Sequence, residues 1–98
     1  MPYIAKNLRE QLNPHLDEVV RLLREVGYDR IDGALNYTLS YITAASMRPE
    51  TGWRYAVIAR AHGALLAAAA EFYRRIAAPY ENRARSSNGD IEPYKHDF

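Results

Sequence analysis

The sequence contains no cysteine. Disulfides are therefore excluded, and so are thiolate metal sites and a cysteine nucleophile. Long hydrophobic runs are missing too. The longest uncharged run in the most apolar stretch is Ala61 to Ala70, about ten residues, which is too short to span a bilayer. The opening Met1-Pro2-Tyr3-Ile4-Ala5-Lys6 lacks the apolar centre of a secretion signal. These absences set the expectation of a cytoplasmic protein with no membrane partner. An excess of one charge sign is missing as well. The formal net charge is +1, so no global field draws the chain to nucleic acid, and a nucleic-acid polymer is not an expected partner.

Catalytic signatures are absent as well. There is no GxSxG, no P-loop and no GxGxxG. His15, His62 and His96 fall on three different segments without an HExxH pattern, and only His15 with Glu18 approaches ligand spacing, so no metal is expected. His62 reads as a packed, hydrogen-bonded histidine. Glu71 and Glu81 stand nearly three turns apart and do not form an acid/base pair on a straight helix. Glu71 is expected to pair with Arg75 at i+4 instead. No enzyme activity and no cofactor are expected.

What is present is helical pattern. Ninety-eight residues fit one domain with a thin core. Residues 1–12 carry Ile4, Leu8 and Leu12 at four-residue spacing, which fits a short amphipathic helix or an arm that packs only on a partner chain. A helix is expected to start at Asn13-Pro14, with asparagine as N-cap and proline in the first turn. Its stripe is Leu16, Val19, Val20, Leu23 and Val26, and Gly27 stops it. A second helix is expected from Asp29 or Asp32 to Met47, ended by Pro49. It carries Ile31, Leu35, Leu39 and Ile42, with Tyr37 and Tyr41 beside them, read as a core edge with buried rings or as a stacking platform.

The dominant stretch runs from Thr51 to Arg85, with Thr51 as the expected N-cap. It holds the only tryptophan, Trp53, and six arginines. Val57, Ile58, Ala61, Leu65, Ala68, Phe72 and Ile76 form one apolar stripe. Tyr55, His62, Leu66, Ala69, Tyr73 and Tyr80 form a second beside it. A single helix from Gly52 to Ala78 would be about 40 Å long, beyond what a compact chain of this length covers by itself. The expected fold class is all-α, a small helical bundle with one long C-terminal helix, assembled as a homo-oligomer. Pro79 is expected to kink or end that helix. Ser86 to Asp90 should break the chain at an Asn88-Gly89 turn, with an extended segment over residues 91–94 and a frayed end over Lys95 to Phe98. This divides the chain into a helical domain, residues 1–85, and an irregular tail, residues 86–98.

Charge collects where the helix loses regularity. Residues 52–85 carry six arginines against Glu71 and Glu81, and residues 86–98 carry Lys95 against Asp90, Glu92 and Asp97. Arginine recognises phosphate and carboxylate through a planar fork, and tyrosine offers a face to a nucleobase. The candidate ligand-binding residues are therefore Tyr73, Arg74, Arg75, Tyr80 and Arg83, with Asn88 and Asp90 from the following turn, and Arg85 nearby. The same residues also fit a subunit interface, or arginines that pair with the acidic tail.

The MPYI opening, Ala34-Leu35-Asn36-Tyr37, the run Phe72-Tyr73-Arg74-Arg75-Ile76-Ala77-Ala78-Pro79-Tyr80-Glu81, and Asn88-Gly89-Asp90-Ile91 resemble a family of short uncharacterised proteins from phages, bacteria and archaea. The resemblance spans nearly the whole chain and departs from Glu92 onward. It supplies no activity. By analogy with small phage proteins, it implies an oligomeric sponge that sequesters a nucleotide immune signal, of cyclic oligonucleotide or cyclic ADP-ribose type, without turning it over. The alternative is a structural or protein-interaction module with no small-molecule ligand.

Overall fold

The computed structural model describes residues 2–95. Every regular element among them is helical: α1 (Lys6–Val26), α2 (Ile31–Met47), α3 (Tyr55–Phe72), a π turn (Tyr73–Ala77), α4 (Ala78–Asn88) and the single turn α5 (Glu92–Lys95). The chain divides into two compact units, Tyr3–Gly63 and the part from Ala64 onward, with the boundary inside α3.

In the first unit the expected short helix and the helix starting at Asn13 are one. α1 is capped at Ala5, whose carbonyl accepts from the Arg9 N–H at 3.1 Å, and Pro14 lies inside it. Neither Asn13 nor Pro14 marks a start. The reason is the apolar stripe: Leu8, Leu12, Leu16, Val19, Leu23 and Val26 keep one helical phase straight through the proline. One continuous helix keeps the hydrogen bonds on both sides of residue 14, at the loss of the one backbone bond the proline removes. The helix is exposed around Pro14, so water can serve the unmatched carbonyl.

Gly27 ends α1 as expected. Its φ of 93° and ψ of 151° lie in a region that only glycine enters readily. The Arg30 N–H closes the turn on the Gly27 carbonyl at 3.1 Å. α2 then begins at Ile31 with Arg30 at the N-cap position, so neither Asp29 nor Asp32 caps it. Asp32 sits in the first turn, where its charge suits the helix dipole. Pro49 stops the helix where expected. Arg48 is extended, and its N–H still bonds the Ala44 carbonyl at 3.3 Å. α3 starts later than Thr51. Gly52, at φ 95°, turns the chain first, and the Arg54 carbonyl accepts from Val57 and Ile58 at 3.0 Å each.

In the second unit Pro79 neither ends the helix nor leaves it regular. α3, the π turn and α4 follow one another with no non-helical residue between them. Proline at 79 lacks the N–H that would bond the Arg75 carbonyl, and its ring would strike that carbonyl. A widened turn relieves both, and the Ala78 N–H bonds the Tyr73 carbonyl five residues back. α4 runs through Ser86, Ser87 and Asn88 and stops at Gly89, φ 87°. The break thus comes at the glycine of the expected turn, not at Ser86. Residues 92–95 form a helical turn where extended chain was expected. The fraying expected of Lys95 to Phe98 falls, past Lys95, outside the described residues.

Burial is sparse. Ala61 is the one buried side chain among the described residues, and no buried side chain belongs to α1, α2 or α4. Of the stripe expected to form the core, Ile58, Leu65, Phe72 and Ile76 stay exposed. Tyr37 and Tyr41 stack at 6.1 Å between ring centroids, tilted by 33°, yet they are 69% and 64% exposed. They are not the buried rings of a core edge.

Candidate functional site

The residues expected to bind a ligand separate into three groups. Tyr73, Arg74 and Arg75 lie on the π turn, Tyr80, Arg83 and Asn88 on α4, and Asp90 beyond Gly89. The structure brings Tyr80, Arg83 and Asn88 together. With Ala84 and Ser87 they line an open groove of about 380 Å³. Their spacing is i, i+3, i+4, i+7, i+8, one face of an α-helix. That signal was readable for Ala84 and Ser87 once the helix is carried past Pro79.

The other members are engaged elsewhere. The Tyr73 hydroxyl donates to Glu81 Oε2 at 2.8 Å. Two α turns take about seven residues. The extra residue of the π turn therefore brings the eighth position onto the side of the first. A regular wheel hides this pair. The hydrogen bond to Glu81, with the carboxylate's charge behind it, raises the Tyr73 pKa above the ordinary phenol value. Arg74 is held by Glu71, Nη2 to Oε1 at 2.5 Å and Nε to Oε2 at 3.3 Å. Glu71 thus takes Arg74 rather than the expected Arg75. Asp90 Oδ1 accepts the Ile91 N–H at 2.8 Å, which ties it to the turn rather than to the groove.

Arg75, Arg83 and Arg85 make no ion pair among the described residues. Of these only Arg83 faces the groove. The groove offers a guanidinium fork, a phenol ring and a carboxamide on one side, open to solvent. Those groups can hold a planar anion by stacking and paired hydrogen bonds. Among the described residues no three His, Asp or Glu side chains gather to hold a metal, and His96 lies outside them. No helix among them is long and apolar enough to cross a membrane.

A second, larger groove lies in the first unit, between α1 and α2. It measures about 460 Å³ and is lined by Val19, Leu23, Val26, Thr38, Tyr41 and Ile42 among others. Its walls are aliphatic and aromatic, so it suits an apolar side chain and not an anion.

Fold and groove together define a small all-helical protein with an arginine–tyrosine groove on the helix that follows a π turn. The chain belongs to the family described as a domain of unknown function, DUF6899, whose family model matches residues 1–91. Comparison with curated proteins and with solved structures gives no match. The family match ends at Ile91, where the resemblance already placed the departure.

Proposed function

We propose that this chain is a non-enzymatic helical assembly protein that works as a homo-oligomer. One observation carries the reading. α2 has a single charged residue, Asp32, in seventeen, and none of its residues is buried. A helix without charge on its flanks belongs inside a protein. Keeping Leu35, Tyr37, Leu39, Tyr41 and Ile42 in water costs about 25 cal/mol for each Å² of apolar surface that a partner would cover. α3 repeats the pattern, with only Arg60 and Glu71 charged in eighteen residues. Sedimentation velocity at about 100 μM, far above micromolar dissociation constants, tests this. A multiple of the 11.2 kDa chain mass is expected, and a pure monomer sinks the reading.

A second reading is favoured by the second unit. The Tyr80–Arg83–Asn88 groove, with a guanidinium that makes no ion pair among the described residues, suits capture of a small anionic ligand without turnover. A nucleotide signal of cyclic oligonucleotide or cyclic ADP-ribose type has the flat base and the phosphate that such groups take, which is the chemistry of a phage sponge. Thermal shifts with a panel of these nucleotides test it, followed by heat release and recovery of the intact ligand. Absence of a shift with every member would discard it.

A further inference from the structure

The apolar groove between α1 and α2 needs an occupant, and the chain carries one that fits. We propose that the N-terminal half of α1 from a second copy lies in this groove, in a two-fold exchange that builds the dimer. The inference rests on the self-assembly reading and names the surfaces that perform it.

The groove is lined by the C-terminal half of α1, from Val19 to Val26, and by Tyr37, Thr38, Tyr41 and Ile42 of α2. The apolar stripe of α1 does not stop there. It continues toward the N-terminus as Leu8, Leu12 and Leu16, exposed by 43%, 42% and 46%. Leucines at i, i+4 and i+8 form the kind of ridge that packs between the ridges of other helices. An amphipathic helix entering an apolar groove is read through anchors at this spacing. Ridge and groove are thus continuous on one molecule, which is what a two-fold, self-complementary interface requires.

With an antiparallel α1–α1 crossing near Leu16, residues equally far from the crossing on either side face each other, so Leu8 of each copy lies over Leu23 and Arg24 of the other and Leu12 over Val19 and Val20. The size is right as well. Covering the exposed parts of Leu8, Leu12, Leu16, Tyr37, Tyr41 and Ile42 completely would remove at most roughly 700 Å² per chain, inside the lower part of the roughly 600–1,000 Å² each partner gives to a stable interface. The exposed polar side of α1 takes no part. Arg21 there is already bonded to Glu18 and Glu25 of its own helix.

The chain has no cysteine, so introduced thiols report this contact directly. Full-length Leu8→Cys and Leu23→Cys chains are mixed, oxidised and run on a non-reducing gel. A cross-linked dimer in clear excess over either variant alone is expected. Full-length Leu12→Asp is run beside them in sedimentation velocity, with circular dichroism to check its helix content. A fall from twice the chain mass to one, with helicity kept, is expected. Should Leu12→Asp lose its helices, the cross-link alone decides. Wild type running as a monomer overturns both this inference and the self-assembly reading. Assembly that persists in Leu12→Asp, with no excess cross-link, overturns this inference and leaves self-assembly standing through another surface.

Discussion

The Tyr73 hydroxyl donates to the Glu81 carboxylate at 2.8 Å across eight residues of helix. The pair exists because the π turn ahead of Pro79 shifts the helical phase by one residue. It also fixes a pH dependence. The folded-state pKa of Tyr73 is raised by the hydrogen bond, so the contribution of the pair is fully present below the ordinary tyrosine value of about 10. It is lost as the pH rises through the raised value, where a phenolate would face a carboxylate. Both groups are solvent-exposed, so the effect is a small one. Thermal melts of wild type and Tyr73→Phe at pH 8 and pH 11 should differ at the first pH and differ less at the second, above the ordinary tyrosine value of about 10. An equal gap at both would show that the bond contributes nothing. In spectrophotometric titration, the late part of the tyrosine signal should shrink in both Tyr73→Phe and Glu81→Gln.

Pro79→Ala tests the cause of the π turn. An alanine N–H restores the donor for the Arg75 carbonyl, and the ring clash is gone. The helix should return to regular register and gain roughly 1–3 kcal/mol, part of the usual proline penalty. Glu81 then leaves the side of Tyr73, so the late-titrating tyrosine should become ordinary. A late tyrosine retained in Pro79→Ala would mean that packing around residues 73–77, and not the proline, holds the turn open.

Much of the fold was legible because it is written in periodicity. The helical class, the stop at Gly27, the end of α2 before Pro49 and the break at Gly89 all follow from local rules. What was misread follows from weighing single residues above pattern. Asn13-Pro14 looks like a helix start, yet Leu8, Leu12 and Leu16 keep phase across it, and phase wins. Thr51, Asp29 and Asp32 are good caps that the chain does not use, because Gly52 and the Gly27–Arg30 turn set where helical geometry begins. Of the candidate residues, Tyr80, Arg83 and Asn88 fall on one face of α4, as helical spacing past Pro79 dictates. The Tyr73–Glu81 pair was hidden, since it needs a non-standard turn that a regular wheel does not contain.

Two glycines make a paired test of backbone strain. Gly27 holds φ 93°, and a Cβ there would stand 3.1 Å from Asp29 Oδ1. Gly27→Ala should destabilise the chain by roughly 1–3 kcal/mol. Gly33 sits inside α2, where an added Cβ meets nothing within 4 Å. Gly33→Ala should stabilise by roughly 0.5–1 kcal/mol through helix propensity. Urea midpoints at unchanged slope measure both. Like signs for the two substitutions would refute the assignment of Gly27 to a glycine-only conformation.

Arg83 separates a ligand groove from a subunit interface. It faces the α4 groove with Tyr80 and Asn88 and makes no ion pair among the described residues. If the groove takes an anionic nucleotide, Arg83→Ala removes a charged hydrogen-bonding partner. That loss is worth roughly 1.5–3 kcal/mol, or about 10- to 150-fold in dissociation constant. Tyr80→Ala removes the stacking face and should weaken binding by a similar order. Neither change touches the α1–α2 surface, so the sedimentation mass should stay that of wild type. The opposite pattern, with assembly lost and no nucleotide bound by wild type, would place the groove inside a subunit contact. Salt gives an independent check. Capture of an anion by an exposed arginine should weaken steadily as ionic strength rises, because the Debye length falls to about 3 Å at 1 M. Assembly through apolar side chains should hold or tighten under excluded salts such as sulfate. The two activities would then respond to salt in opposite directions on one molecule.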